Sequence, residues 1–219
     1  MLIHFTFKFM LSLSIFTSSQ TISVALYDGR KLIKFLKKQI YKNKIDNIFL
    51  MLKEVLCEDK GQLKKIFFSI GPSSYTALRS VKSIAEGISA VTNAQVIKLT
   101  EFEIYLANFK NHKPNLIVFY ETTNGKFFYQ YFKSSSEIYI STSRFYHGDI
   151  SQIKEFVFKM KKKKIEVISN SKSSLFLLKK LLDINVHYIN PCSKKLAEAA
   201  FHGYGSVDRD IIYHHTYYE

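Results

Sequence analysis

Several residue types that often carry function are scarce in this chain. Its 219 residues include two cysteines, three prolines, eight glycines and no tryptophan. Cys57 and Cys192 are far apart in sequence, so they predict neither a disulfide framework nor a paired-cysteine metal site. Two free thiols are typical of a reducing cytoplasm, where we expect the protein to reside. The glycines form neither a GxGxxG nor a GxxxxGK phosphate loop, and no apolar run is long enough to span a bilayer.

Acidic residues are also in the minority, with 18 Asp and Glu against 32 Lys and Arg, a net charge of +14. Such an excess is compatible with a nucleic-acid partner. The charge is spread along the chain, however, and Lys, Ile, Asn, Phe and Tyr are all abundant, which favours an AT-rich genome as its cause. The run Lys161–Lys164 is typical of a solvated helix end. A basic RNA-binding module remains an alternative, although no aromatic and basic RNA motif is visible.

The first half of the chain reads as strands and amphipathic helices. Strands are predicted at 11–16, 22–27 and 31–36, with a hairpin turn at Asp28-Gly29. Residues 1–16 are apolar around Lys8, which favours a first strand with an extension over a signal peptide, and Met10 is a second candidate start. A helix is predicted at 43–57, where Ile45, Ile48, Phe49, Leu52, Val55 and Leu56 form the core stripe. Leu50 and Met51 lie off that stripe.

The most informative stretch runs from residue 66 to residue 91. A buried strand at 66–70 meets the turn Gly71-Pro72, and Ser73 or Ser74 is placed to cap the helix that follows. One face of this helix carries Leu78, Val81, Ala85 and Ile88. A second apolar face carries Ala77, Ile84, Gly87 and Val91, and it predicts either a partner interface or a fully buried helix.

This stretch closely resembles the GPGSFTGLR signature of the TsaB (YeaZ) family. Gly71, Pro72, Ser74, Thr76, Leu78 and Arg79 match the signature, Tyr75 stands for its Phe, and Ser73 and Ala77 stand where the family usually has Gly. Residues 17–29 also resemble the first hairpin of the family. The resemblance covers roughly residues 11–110 and is thin afterwards.

The resemblance implies a two-lobed α/β fold of the actin/Hsp70-like ATPase type (ASKHA, ribonuclease H-like). We expect an N-terminal lobe at 1–110 and a C-terminal lobe at 111–219, because Asn111-His112-Lys113-Pro114 reads as a boundary and strands alternate with helices on both sides of it. Helices are predicted in the second lobe at 150–160, 173–182 and 193–204, with strands at 116–120, 126–132, 138–141, 165–168 and 186–189.

The resemblance also implies a function, since TsaB takes part in forming N6-threonylcarbamoyladenosine at position 37 of ANN-decoding tRNAs. It is a non-catalytic partner of TsaD, TsaE joins the complex, and tRNA contact is then indirect. TsaB proteins dimerise through two helices, so a homodimer is the other expected association. The implied interface residues are Leu50, Met51, Ala77, Ser80, Ile84, Gly87 and Val91. The signature turn and helix cap are Gly71, Pro72, Ser74, Thr76 and Arg79.

The catalytic groups of active relatives are missing from this sequence. Where the family strand usually ends Ile-Asp-Thr-Ser, this chain has Phe16 in place of the acid, and an aromatic ring cannot ligate a hard cation. No two of its seven histidines have the i, i+4 spacing of a helical metal site. Ser74 lacks the Gly-x-Ser-x-Gly context of a hydrolase nucleophile. We therefore predict no catalytic residue, metal or cofactor, with an active ASKHA kinase or a metallopeptidase-like protein as the alternative.

Overall fold

The chain is divided into two units, which are described separately. The computed structural model describes residues 10–18, 21–39, 44–56, 63–73, 75–109, 114–122, 126–135, 138–160, 165–172, 176, 179–180 and 185–212. Unit 1 comprises Met1–Thr100 together with Cys192–Glu219, and unit 2 comprises Glu101–Pro191. The expected lobes were 1–110 and 111–219. In this division residues 101–110 belong to unit 2 and residues 192–219 belong to unit 1.

Unit 1 contains a five-stranded mixed sheet. Its strands are β1 (Leu11–Thr17), β2 (Thr21–Asp28), β3 (Lys31–Gln39), β4 (Leu63–Ser69) and β5 (Gln95–Leu99), in the order β3-β2-β1-β4-β5. The first three strands are antiparallel, whereas β4 and β5 run parallel to β1. The predicted turn after Asp28 is confirmed, and Gly29 holds a φ of +56°, which only glycine adopts readily.

Two helices cover one face of this sheet. Helix α1 (Lys44–Leu56) links β3 to β4, and helix α2 (Tyr75–Thr92) links β4 to β5. The ends of both helices lie within two residues of the ends predicted from the sequence. Their apolar sides and the sheet enclose the main core, which includes Leu13, Ile15 and Val24 from the strands and Leu78 and Val81 from α2.

The helix near the C-terminus of the described chain covers the opposite face. It spans Ser193–Phe201, and the Phe201 ring packs edge-on against Tyr27 and Phe67, with centroid distances of 5.2 and 5.5 Å. Its first turn is tied to the sheet, because the Ser14 hydroxyl donates to the Ser193 carbonyl (2.7 Å) and the Ser193 N–H donates to the Ser23 hydroxyl (2.8 Å). Burial of this helix on β1 and β2 explains why the chain returns to unit 1.

Unit 2 contains a second mixed sheet, preceded by helix α3 (Glu101–Ala107). Its strands are β6 (Asn115–Glu121), β7 (Phe127–Ser135), β8 (Ile138–Ser141), β9 (Tyr146–Gly148), β10 (Ile165–Ser169) and β11 (Asn185–Tyr188). They are ordered β11-β10-β6-β7-β8, and β9 also pairs with β7. Helix α4 (Ile150–Met160) packs Ile153 and Val157 on the sheet, and the helix at Ser193–Phe201 is accordingly α5.

Most of the predicted elements are confirmed in unit 2 as well. Strand β9 was not predicted, since three residues are too few to show a period. The predicted helix at 173–182 lies largely outside the described residues, as do the N-terminal extension at 1–9 and the run Lys161–Lys164. Within the described part of the chain, no helix has the length and apolar character needed to cross a membrane.

Candidate functional site

The signature turn connects β4 to α2 and is held from three directions. The Gly71 N–H donates to the Ser69 hydroxyl (3.2 Å), and the Ile70 N–H donates to the Leu99 carbonyl (2.8 Å). The Ile70 carbonyl in turn accepts from the Ile212 N–H (2.9 Å). Gly71 has a φ of +103°, and a Cβ there would lie 3.0 Å from the Ile212 carbonyl oxygen. The turn therefore requires glycine, and the C-terminal segment helps to hold it.

Pro72 precedes helix α2 and is buried, and Ser74 lies outside the described residues. The other signature residues lie near the beginning of α2. Thr76 is exposed, and its carbonyl accepts from the Ser80 hydroxyl (2.8 Å). The Arg79 guanidinium lies 4.0 Å from the centroid of the Tyr75 ring, at cation–π distance. The signature thus spans the turn and the beginning of α2.

Helix α2 carries two apolar faces, as its sequence predicts. Leu78, Val81 and Ala85 are buried in the core. The second stripe has the i, i+3, i+7, i+10, i+14 spacing of a helix that packs along another helix, and it comprises Ala77, Ser80, Ile84, Gly87 and Val91. Ala77 and Ile84 are each 8% exposed, whereas Val91 is 84% exposed. The stripe therefore begins at the edge of the core and ends in solvent.

The exposed end of this stripe forms one wall of an apolar groove between α1 and α2. The groove has a volume of about 570 Å³. Its lining residues are Phe49, Leu52, Lys53, Leu56, Leu63, Ser83, Ile84, Gly87, Ile88, Val91 and Thr92. A Cβ built on Gly87 would meet no atom within 4 Å, so this glycine lies on open space. A groove of this size and character can receive side chains from another protein.

Helix α1 contributes to the groove differently from the prediction. Met51 is only 1% exposed and belongs to the core, so it is not available to a partner and is dropped from the expected interface. Leu50 is 61% exposed but does not line the groove. Phe49 was assigned to the core stripe, yet it is 56% exposed and lines the groove. The docking of α1 on the sheet therefore buries Met51 and leaves Phe49 outside.

Lys53 also lines the groove and was not singled out from the sequence. It lies in the last turn of α1, and its side chain is exposed. The available signal was its spacing, because residues 49, 52, 53 and 56 share one side of a helix. That spacing was not enough to identify Lys53 as a groove residue, since a lysine near a helix C-terminus is expected for electrostatic reasons alone.

The position where the family has an acid is occupied by a buried side chain, Phe16. Phe16 is 1% exposed and is paired with Ser23 of β2.

Cys192, just before α5, is a buried free thiol. Burial, followed by the nearby Glu198 carboxylate, raises the pKa of Tyr27 to about 12. Across the residues that the structure describes, no three His, Cys, Asp or Glu side chains are grouped so that they could hold a metal ion.

Comparison with known proteins gives one sequence relative and several structural ones. The chain is 24% identical over 183 residues to the tRNA threonylcarbamoyladenosine biosynthesis protein TsaB of Buchnera aphidicola subsp. Acyrthosiphon pisum, covering 81% of each. YeaZ from Pseudomonas aeruginosa superposes with a TM-score of 0.68 at 12% identity, covering 94% of this chain and all of YeaZ. A Pseudomonas aeruginosa protein described as similar to peptidase YeaZ gives 0.71 at 12% identity, covering 93% and 99%. No family model matches the chain.

These similarities define the class of fold first. A Bacteroides thetaiotaomicron protein with an actin-like ATPase fold also superposes, with a TM-score of 0.53 at 11% identity over 92% of this chain and 99% of that one. The chain has the α/β, two-lobed actin-like ATPase (ASKHA) fold that the resemblance implied. The chain is similar in sequence to TsaB, and its signature at Gly71–Arg79 resembles that of the TsaB/YeaZ family.

Proposed function

We propose that this chain is a non-catalytic subunit in the formation of N6-threonylcarbamoyladenosine at position 37 of ANN-decoding tRNAs. In this role it acts as scaffold and activator of a TsaD-type catalytic subunit, and a TsaE-type ATPase joins the complex. The tRNA is contacted mainly through the catalytic subunit. The similarity to the tRNA threonylcarbamoyladenosine biosynthesis protein TsaB of Buchnera supports this pathway.

The observation that carries the scaffold role is the apolar groove between α1 and α2. Phe49 and Val91 expose 56% and 84% of their surface on its walls, whereas Leu52 and Leu56 are buried at its base. Large apolar side chains around a concave surface gain free energy when a partner removes them from water, at about 25 cal/mol per Å². The heptad spacing of Ile84, Gly87 and Val91 favours a helix as the occupant.

The residues at the expected catalytic positions support the absence of catalysis in this chain. Phe16 is buried where an acid would handle metal and phosphate, and replacing that acid by an aromatic ring removes the oxygen ligands a magnesium ion needs. The polar lining residues of the groove are Ser83, Thr92 and Lys53, and the described lining includes no histidine or carboxylate that could activate their hydroxyl or amine groups. A kinase or peptidase role therefore has less support than a binding role.

The proposal is tested in a bacterium depleted of its own TsaB. Expression of this chain together with the TsaD-type subunit from the same genome is expected to restore N6-threonylcarbamoyladenosine, measured by mass spectrometry of tRNA digests. Gly87→Glu is expected to abolish that restoration and the co-purification of the catalytic subunit, because it places a carboxylate in the groove.

Ala90→Glu is the matched control, since Ala90 is exposed on the same helix and does not line the groove. It introduces the same charge and should leave both readouts at the wild-type level. Circular dichroism should show both variants folded, because neither position is in the core. Restoration that is equally strong with Gly87→Glu would contradict the role of the groove, and absence of restoration by the wild type would contradict the proposed pathway.

A further inference from the structure

Among the described residues that line the groove, Lys53 is the one that carries a formal charge. The others are apolar, carry small hydroxyls or, at Gly87, have no side chain. Lys53 lies among Phe49, Leu52 and Leu56 on the same side of α1. The neighbouring carboxylate on α1, Glu54, is already paired with Lys34 at 3.2 Å. On α2, Glu86 is paired with Lys82 at 3.8 Å. Among the described residues, no carboxylate lies within ion-pair distance of Lys53.

A partner that fills this groove changes the surroundings of that ammonium group. In the free chain Lys53 is exposed to water, which solvates its charge at little cost. When apolar side chains of a partner cover Phe49 and Val91, water is displaced from around Lys53. A charge that is desolvated without a counter-ion disfavours association, whereas a carboxylate placed opposite it restores the lost interaction.

Self-association through the same groove cannot supply that carboxylate from the groove lining. A two-fold dimer uses the same patch on both subunits, so it would bring two Lys53 side chains into one apolar seam, with no acid among the described lining residues to pair with them. A different protein has no such restriction. Apolar packing alone would not discriminate between a second copy of this chain and a different protein. Charge complementarity at Lys53 favours the different protein.

We propose that Lys53 is the specificity-determining residue of the groove, selecting a partner that presents an apolar helix face with an aspartate or glutamate opposite it and disfavouring a second copy of this chain. The inference rests on the proposed function for the identity of that partner, the TsaD-type subunit. The charge argument itself depends only on the lining of the groove, so it can be tested on the isolated chain as well.

The experiment compares wild type, Lys53→Met and Lys53→Glu in two arms. In the first, calorimetry with the TsaD-type subunit from the same genome should show binding weakened about tenfold or more by Lys53→Glu. The salt dependence of binding should be smaller for Lys53→Met than for wild type between about 0.05 and 0.5 M salt. In the second, sedimentation equilibrium of the isolated chain should show Lys53→Met self-associating about tenfold more tightly than wild type.

Lys37→Glu is the control, because it makes the same change of charge at an exposed position of β3 outside the groove. It should match wild type in both arms, and thermal melting should show every variant folded. If both Lys53 variants bind the partner and self-associate like wild type, the inference is wrong. If the TsaD-type subunit fails to bind any variant, the proposed function is wrong, and the self-association arm still decides the role of Lys53.

Discussion

Gly87 is the residue at which stability and partner binding should move in opposite directions. It lies in the third quarter of α2, an 18-residue helix, where glycine has a poor helical propensity. Apart from its chain neighbours and the backbone of the helix itself, no atom lies within 4 Å of the position that a Cβ would occupy, and the φ of Gly87 is not in the left-handed region. Replacement by alanine therefore introduces neither a clash nor backbone strain in the free chain.

The expected effects of Gly87→Ala on stability and on binding follow from these observations. Glycine in a helix interior costs about 0.5–1 kcal/mol relative to alanine, so Gly87→Ala should stabilise the free chain by that amount. For a chain of this size the melting temperature should rise by about 1–4 °C. In the proposed complex, the added methyl group would lie where we expect the partner helix to pack closely, and overpacking of about 1–3 kcal/mol would weaken binding by about five- to 150-fold.

The assay measures melting by circular dichroism and affinity for the TsaD-type subunit by calorimetry. Ala90→Gly is the mirror-image control, because Ala90 is exposed on the same helix outside the groove. It should lower the melting temperature and leave affinity unchanged. The reasoning is refuted if Gly87→Ala raises the melting temperature while the affinity stays at the wild-type value, since the glycine would then have no part in a close helix contact.

Three further predictions concern other positions. Gly71→Ala should destabilise the chain by about 1–3 kcal/mol in urea unfolding, because φ is +103° and the Ile212 carbonyl leaves no room; unchanged stability would show that the turn relaxes. Phe16→Asp should destabilise by several kcal/mol through an uncompensated buried charge. Neither that variant nor wild type should release appreciable heat with ATP and magnesium, and low-micromolar binding by wild type would revive the enzyme alternative. The Asp149 carboxylate accepts hydrogen bonds from the Ser151 hydroxyl and from the backbone N–H groups of Gln152 and Ser151, which lowers the pKa of Asp149. These bonds cap the N-terminus of α4. The cap is therefore present above the ordinary carboxyl pKa and is lost as the pH falls through the lowered pKa of Asp149. Asp149→Ala should speed amide hydrogen exchange in the first turn of α4 at neutral pH, whereas Asp149→Asn should retain protection and remove its acid dependence, and equal exchange in all three proteins would refute the cap.

Local features of this protein were determined by its sequence. The turn at Asp28-Gly29, the strand and turn that end at Gly71-Pro72, and the ends of α1 and α2 all follow from residues a few positions apart, through backbone preferences and apolar periodicity. The second stripe on α2 could be identified for the same reason, because Ile84, Gly87 and Val91 lie on one side of any helix that contains them.

The tertiary structure decided which residues of these elements meet. The apolar run on α1 is wider than one stripe, so only the docking angle on the sheet determines that Met51 is buried and Phe49 is exposed. The return of α5 to unit 1 depends on contacts between residues 14, 23 and 193, which are separated by up to 179 positions. The groove and the position of Lys53 beside it arise from the same cause, since a surface shared by two helices exists only after both have packed on the sheet.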